Sequence, residues 1–196
     1  MNQELIEKLE TLKKRDIDTR SRLIKEGRLY GGYEQEMQEV HRQNAYALEE
    51  IVTTHGWPGV PKVGIEGSRA AWLIAQHAIC TPGLQRKFLK QLSRAAETGD
   101  VPMKQVAFLT DRIRYNEGKP QVYGTVLDWN ENGDLTCELE NRDRVNELRA
   151  NVDLPPLEQA CKEHRRRVEA EGGKPPENYE TYKRTACEWA ESVGWR

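Results

Sequence analysis

Apolar side chains recur along the first half of this chain at helical spacing, set between charged residues that would face water. Over residues 3–25, Leu5, Ile6, Leu9, Leu12, Leu23 and Ile24 form a weak stripe among many charges, which predicts a surface helix. A loop containing Gly27, Gly31 and Gly32 leads to a second helix over 33–54, where Met37, Val40, Leu48, Ile51 and Val52 share a core-facing stripe. Gly56, Trp57 and Pro58, followed by Pro61 and Gly64, end it in a structured loop. A third helix over 67–78 carries Ala70, Ala71, Trp72, Leu73, Ile74, Ala75 and Ala78 with no consistently polar face, the pattern of a buried helix. Thr81 as N-cap and Pro82 at the first helical position open a fourth helix through Phe88 and Leu92, closed by Gly99. A fifth follows over 102–115 through Val106, Ala107, Phe108, Leu109 and Ile113.

Only one stretch carries a strand signal. "QVYGTVLDW" and "DLTCEL" flank Asn130, Glu131, Asn132 and Gly133, the turn chemistry of a hairpin near 121–139. Past Pro155 and Pro156 the chain turns strongly polar, and two short helices separated by Gly-Gly-Lys-Pro-Pro are expected there. The predicted fold is mainly α: a multi-helix single domain over 1–157 with one small β-hairpin, and a charged helical C-terminal extension over 158–196.

Composition narrows the function classes. The 196 residues suffice for one well-buried core, and 30 Lys and Arg stand against 32 Asp and Glu, so no global basic field exists to hold nucleic acid. The N-terminus lacks an apolar signal-peptide core and no stretch approaches the ~18 apolar residues of a membrane span, so a soluble, cytoplasmic protein is expected. Cys80, Cys137, Cys161 and Cys187 are widely spaced, forming neither a zinc pair nor a CxxC, and are expected to be unpaired thiols.

Several polar residues fall where the pattern demands core. His41 and Asn44 lie on the apolar stripe of the second helix, and Gln76 and His77 interrupt the buried third one. Asp111 and Arg112 end the fifth helix, while Gln121, Tyr123 and Thr125 alternate onto one face of the first strand beside Gly124. A buried polar group without a partner costs roughly 1–3 kcal/mol, so such a set is either mutually hydrogen-bonded or surrounds a ligand. For His77 and Gln76 the structural alternative is a bond to a carbonyl or a tie between helices; for Asp111 and Arg112 it is an ion pair. For Trp57 it is a core aromatic pinning its loop.

"HRQNAYALEEIVTTHGWP", "VGIEGSRAAWLIAQHA" with Gln85, "VAFLTDR" and "GKPQVYGT" resemble, in order and spacing, the motifs of a bacterial family, domain of unknown function 6624, over about Asp16 to Leu157. The resemblance implies no reaction. It implies that the family tends to hold the positions of Asp16, Arg20, Asn44, Trp57, Pro58, Gly64, Gln76 and His77. In the second half it implies the same for Asp111, Arg112, Gln121, Tyr123, Gly124, Thr125 and Arg149, besides Gln85. Against the family pattern, His41, Ile79 and Asn146 stand where an aspartate is usual and Val126 where a glutamine is usual.

Two readings follow. In the first, an inward pocket of His41, Asn44, Gln76, His77, Asp111 and Tyr123 binds a small polar, nucleotide-like ligand. His77 is its general acid or base, oriented by Asp111 or His41; Trp57 lies near the ligand, Arg112 holds an anion, and Gln121, Tyr123 and Thr125 fix orientation. In the second, the chain is a non-catalytic interaction module of accessory or immunity type that meets a partner protein. No nucleophile elbow, phosphate-binding glycine loop, HExxH or CxxC is present, so no cofactor is expected. His41 and His77 alone are too few ligands for a metal.

Overall fold

The stripe on the first helix buries Leu5, Leu9, Leu12 and Leu23, and α1 runs over Gln3–Lys25 with Asn2 accepting from the Leu5 N–H at its start. The computed structural model describes residues 1–29 and 33–196, so Gly31 and Gly32 of the expected loop lie outside the described residues. α2 (Gln35–His55) buries Met37, His41, Asn44, Leu48, Ile51 and Val52, while Val40 is only half-buried.

α3 (Val60–His77) begins well before the expected position 67. Pro61 is tolerated because it sits in the first turn, where its missing N–H would have no partner, and the helix is interrupted at Gly64 (φ 71°, ψ 176°) rather than started after it. Gly59 allows this start: a Cβ there would lie 2.8 Å from Asp100 Cβ, and the Val60 N–H donates to the Asp100 carbonyl at 2.8 Å. The Asn2 N–H donates to the Lys62 carbonyl at 2.8 Å, so α1 and α3 begin side by side and run in the same direction. Asp16 and His77 lie nearly the same number of residues beyond that bond, which brings them to one level.

After a single 3-10 turn (Ala78–Cys80), α4 (Pro82–Glu97) starts where the Thr-Pro signal predicts. Fully buried Gln85 donates its amide to the Ala75 and Gln76 carbonyls at 2.7 and 3.0 Å, satisfying acceptors that the end of α3 leaves open. α5 (Met103–Asn116) follows. Contacts group the chain into two compact units, Met1–Leu109 and Thr110–Arg196, the division falling within α5.

The second unit corrects the hairpin. β1 (Asp128–Trp129) pairs antiparallel with β2 (Leu135–Thr136), closed by Asn130, whose side chain accepts from the Asn132 and Asp134 N–H groups. Residues 121–126 are not a strand; Gln121 makes only an isolated parallel bridge to Leu139. Gly124 takes φ 65°, which turns the chain, and Asp111 draws the neighbouring N–H groups onto itself, so the alternation of Gln121, Tyr123 and Thr125 lines no sheet face. A short α6 (Val145–Ala150), not expected from the sequence, precedes α7 (Leu157–Ala170) and α8 (Tyr179–Ser192). Trp195 is buried and Arg196 Nε donates to the Asn116 carbonyl at 3.2 Å. The fold is mainly α with one small hairpin, and among the described residues no helix is long and apolar enough to cross a membrane.

Candidate functional site

Three helices of the first unit each bring one group to a common point. Asp16 occupies the buried stripe of α1, four residues after Leu12, and is 1% exposed. His41 stands on the buried stripe of α2, and His77 is the last residue of α3, where the helix gives way to the 3-10 turn. His77 Nδ1 lies 2.8 Å from Asp16 Oδ2, and His41 Nε2 lies 3.4 Å from the same oxygen. The two imidazoles are 4.8 Å apart, centroid to centroid, with 42° between their planes.

Burial pushes the Asp16 carboxyl up, but hydrogen bonds to His41 and His77 and their positive charge hold it, on balance, well below the usual carboxylate range. Both contacts fall on Oδ2; Oδ1 is buried and makes no hydrogen bond among the described residues. On the far side of His41, Tyr33 places its hydroxyl 2.5 Å from Nδ1, and burial pushes that phenol far above its ordinary value, so it stays protonated. The hydroxyl therefore donates to Nδ1 when His41 is neutral with its proton on Nε2. The three residues differ in access: Asp16 and His41 are buried, whereas the His77 side chain is 29% exposed.

The neighbouring residues named from sequence take different roles. Asn44 is a bridge between helices, its amide donating to the Leu12 carbonyl at 3.1 Å and accepting from Arg15 Nε at 3.2 Å. Trp57 packs edge-on against Phe88 with ring centroids 6.4 Å apart. Gln76 is buried beside His77 and its side-chain nitrogen has no hydrogen-bond partner among the described residues.

Asp111, Arg112, Gln121, Tyr123 and Thr125 belong to the second unit, where all but Arg112 take part in one hydrogen-bonded loop. Asp111, fully buried, accepts from the N–H groups of Val122, Tyr123 and Thr125 at 2.8, 3.1 and 3.0 Å and from the Thr125 hydroxyl at 3.1 Å. Burial pushes its carboxyl up, and these donors offset that only in part. Gln121 closes the same loop on itself, donating to the Val126 carbonyl at 2.7 Å and accepting from the Val126 N–H at 2.9 Å. Arg149 donates to the Tyr123 carbonyl at 2.6 Å. Arg112 Nε is buried without an acceptor, and burial lowers its pKa.

Asp16 is the member of this cluster that periodicity alone does not single out. The family resemblance names its position, and its place on the Leu5, Leu9, Leu12 stripe turns it inward. With it, the sequence count of two candidate metal ligands becomes three: ligand atoms of Asp16, His41 and His77 all lie within 4.8 Å of one another, a set that could close around a metal ion after a small contraction. Without a metal, a carboxylate on Nδ1 of a half-open imidazole fixes that ring's tautomer and leaves Nε2 to act as a base.

Residues 6–172 match the model of the Family of unknown function (DUF6624). The match reaches beyond the quoted motifs at both ends, taking in most of α1 and all of α7, so part of the expected extension lies inside it. No curated protein and no solved structure matches the chain.

Proposed function

The chain belongs to the DUF6624 family, and from that premise we propose that Asp16, His41 and His77 form a centre that binds a small polar molecule and moves a proton on it. The observation that carries the reading is the 2.8 Å contact between His77 Nδ1 and a carboxylate that is itself 1% exposed, on an imidazole that keeps access to solvent. Asp16 accepts the Nδ1 proton, so Nε2 carries the lone pair that takes a proton from a bound hydroxyl, amine or water. As Nε2 becomes protonated, the Asp16 carboxylate, held ionised at neutral pH, stabilises the imidazolium. His41, held by Tyr33, places a second imidazole 4.8 Å away, where it steadies the carboxylate.

The test is consumption of substrate from a pool of small polar metabolites, followed by mass spectrometry, for the native protein, His77→Gln and Asp16→Asn. General acid–base groups contribute about 10²–10⁴-fold, so His77→Gln is expected to lower turnover at least about a hundredfold while its unfolding free energy changes by no more than about 2 kcal/mol. Equal turnover in His77→Gln contradicts the proposal. Turnover abolished by a chelator and restored by zinc also contradicts it, because the proton acceptor is then a metal-bound water rather than Nε2. Saturable binding of a partner protein with no consumption of any metabolite favours the interaction-module reading instead.

A further inference from the structure

α1, α3 and the start of α5 line an open pocket of about 280 Å³ in the first unit. Lys13, three residues before Asp16, and Leu73, four before His77, line it, so it lies about one helical turn, some 5 Å, from the acid–base centre. Its walls are aromatic: Trp72 and Phe108 meet edge to face with ring centroids 5.7 Å apart, and both stay half-exposed. The Trp72 indole N–H is spent on the Gln105 carbonyl at 3.1 Å, which fixes the ring and leaves its face as a flat apolar surface.

At this wall sits an amide whose oxygen is unsatisfied. Gln105 lines the pocket, is 6% exposed, and its Oε1 is buried without a hydrogen bond among the described residues. A carboxamide presents an acceptor and a donor side by side, and the partner it fits in two hydrogen bonds is a planar ring edge offering the reverse order; adenine does so through its amino group and N7. The rim is cationic, with Lys13, Arg69 and Lys104 set against one carboxylate, Glu66, already shared by Arg69 at 2.9 Å and Lys13 at 3.8 Å. Lys104 is exposed on the rim and makes no ion pair among the described residues.

We infer that this cavity binds an adenine nucleotide, the base lying against Trp72 and Phe108 with its amino edge on the Gln105 amide and its phosphate at Lys104 and Arg69. Aromatic contact supplies affinity that any base would enjoy, the Gln105 amide supplies the preference for adenine, and the lysine and arginine supply the demand for a phosphate. The volume is near the lower end of the ~300–1,000 Å³ of ligand pockets, enough for a base and sugar with the phosphate at the mouth. As the ligand of the neighbouring centre, the nucleotide rests on the reading of Asp16 and His77 above; as a binding event it does not.

Isothermal titration of the full chain with AMP, adenosine, GMP and inorganic phosphate separates the contributions. AMP is expected to bind saturably, adenosine and GMP at least about tenfold more weakly, and phosphate alone without measurable heat, since guanine offers two acceptors to Gln105 and adenosine lacks the anion. Gln105→Leu and Trp72→Leu are each expected to weaken AMP at least about tenfold. Lys104→Glu, an exposed change that spares folding, is expected to weaken AMP and leave adenosine unchanged. Absence of saturable AMP binding, or AMP affinity unchanged by Lys104→Glu, overturns the inference, as does GMP binding equal to AMP. Saturable AMP binding that is retained in His77→Gln supports the inference whether or not AMP is turned over. AMP bound with all these preferences but never consumed sustains the cavity while counting against AMP as the substrate of the Asp16–His77 centre.

Discussion

Asp16 is buried and meets His77 at 2.8 Å and His41 at 3.4 Å through one oxygen, so its charge is stabilised by the folded arrangement of these rings. Its folded pKa lies below the unfolded carboxylate value of about 3.9, so the stability it contributes is fully present above that value and is lost as pH falls through the lower, folded one. Asp16→Asn lacks this contribution. Urea unfolding is expected to show it less stable than the native protein by about 2–3 kcal/mol at neutral pH, with the gap shrinking below about pH 4; a gap independent of pH contradicts the assignment. His41 and His77 were legible in the sequence because a histidine on an apolar stripe stands out. Asp16 was passed over because α1 carries so many charges that one inward carboxylate looks like the rest, although the stripe position alone distinguishes it. Asn44 was read as inward, and it is, but its bonds to Leu12 and Arg15 depend on α1 and could not be read from α2.

The segment 121–126 shows how one distant acceptor overrules a local pattern. Its alternation and β-branched residues read as a strand, yet Asp111, ten residues upstream, offers a carboxylate that gathers the N–H groups of Val122, Tyr123 and Thr125 and fixes a loop instead. Replacing Asp111 by Ala leaves those half-buried N–H groups without this acceptor, and a loss of about 3 kcal/mol is expected, with faster hydrogen exchange at Val122, Tyr123 and Thr125. Unchanged protection of these amides contradicts this account of the loop. Gly124 belongs to the same device. Its φ of 65° disfavours any side chain, and a Cβ would come within 3.0 Å of Leu157, Cys137 and Leu139 atoms, so Gly124→Ala is expected to cost about 1–3 kcal/mol in thermal or urea unfolding. The helices fared better. α1 was readable to its ends and α4 at its start because stripe and capping chemistry are local, whereas the early start of α3 depended on Gly59 meeting Asp100.

At the scale of the whole chain, the mainly helical class with one small hairpin is visible in periodicity, and the family match places residues 6–172 in a family without supplying a reaction. The expected boundary near 157 rests on composition; contacts group Thr110–Arg196 as one compact unit. Composition reports how polar a surface is, and it is silent on single apolar anchors such as Trp195, which is 4% exposed at the end of a charged segment. Trp195→Ala is therefore expected to lower stability by about 3 kcal/mol, read as a fall in the thermal transition of the second unit; a change within about 0.5 kcal/mol would show that this end of the chain is not part of its packing.

The proposed centre requires that neutral His77 carry its proton on Nδ1, against Asp16. Two-bond proton–nitrogen correlation of the imidazole rings above about pH 8, with His77 identified by its loss in His77→Gln, reads this directly. The arrangement around Asp16 predicts a neutral His77 protonated at Nδ1 with Nε2 bare, and loss of that preference in Asp16→Asn. A proton on Nε2 in the native protein would leave no base at the exposed edge of the ring, and would contradict the proposed centre.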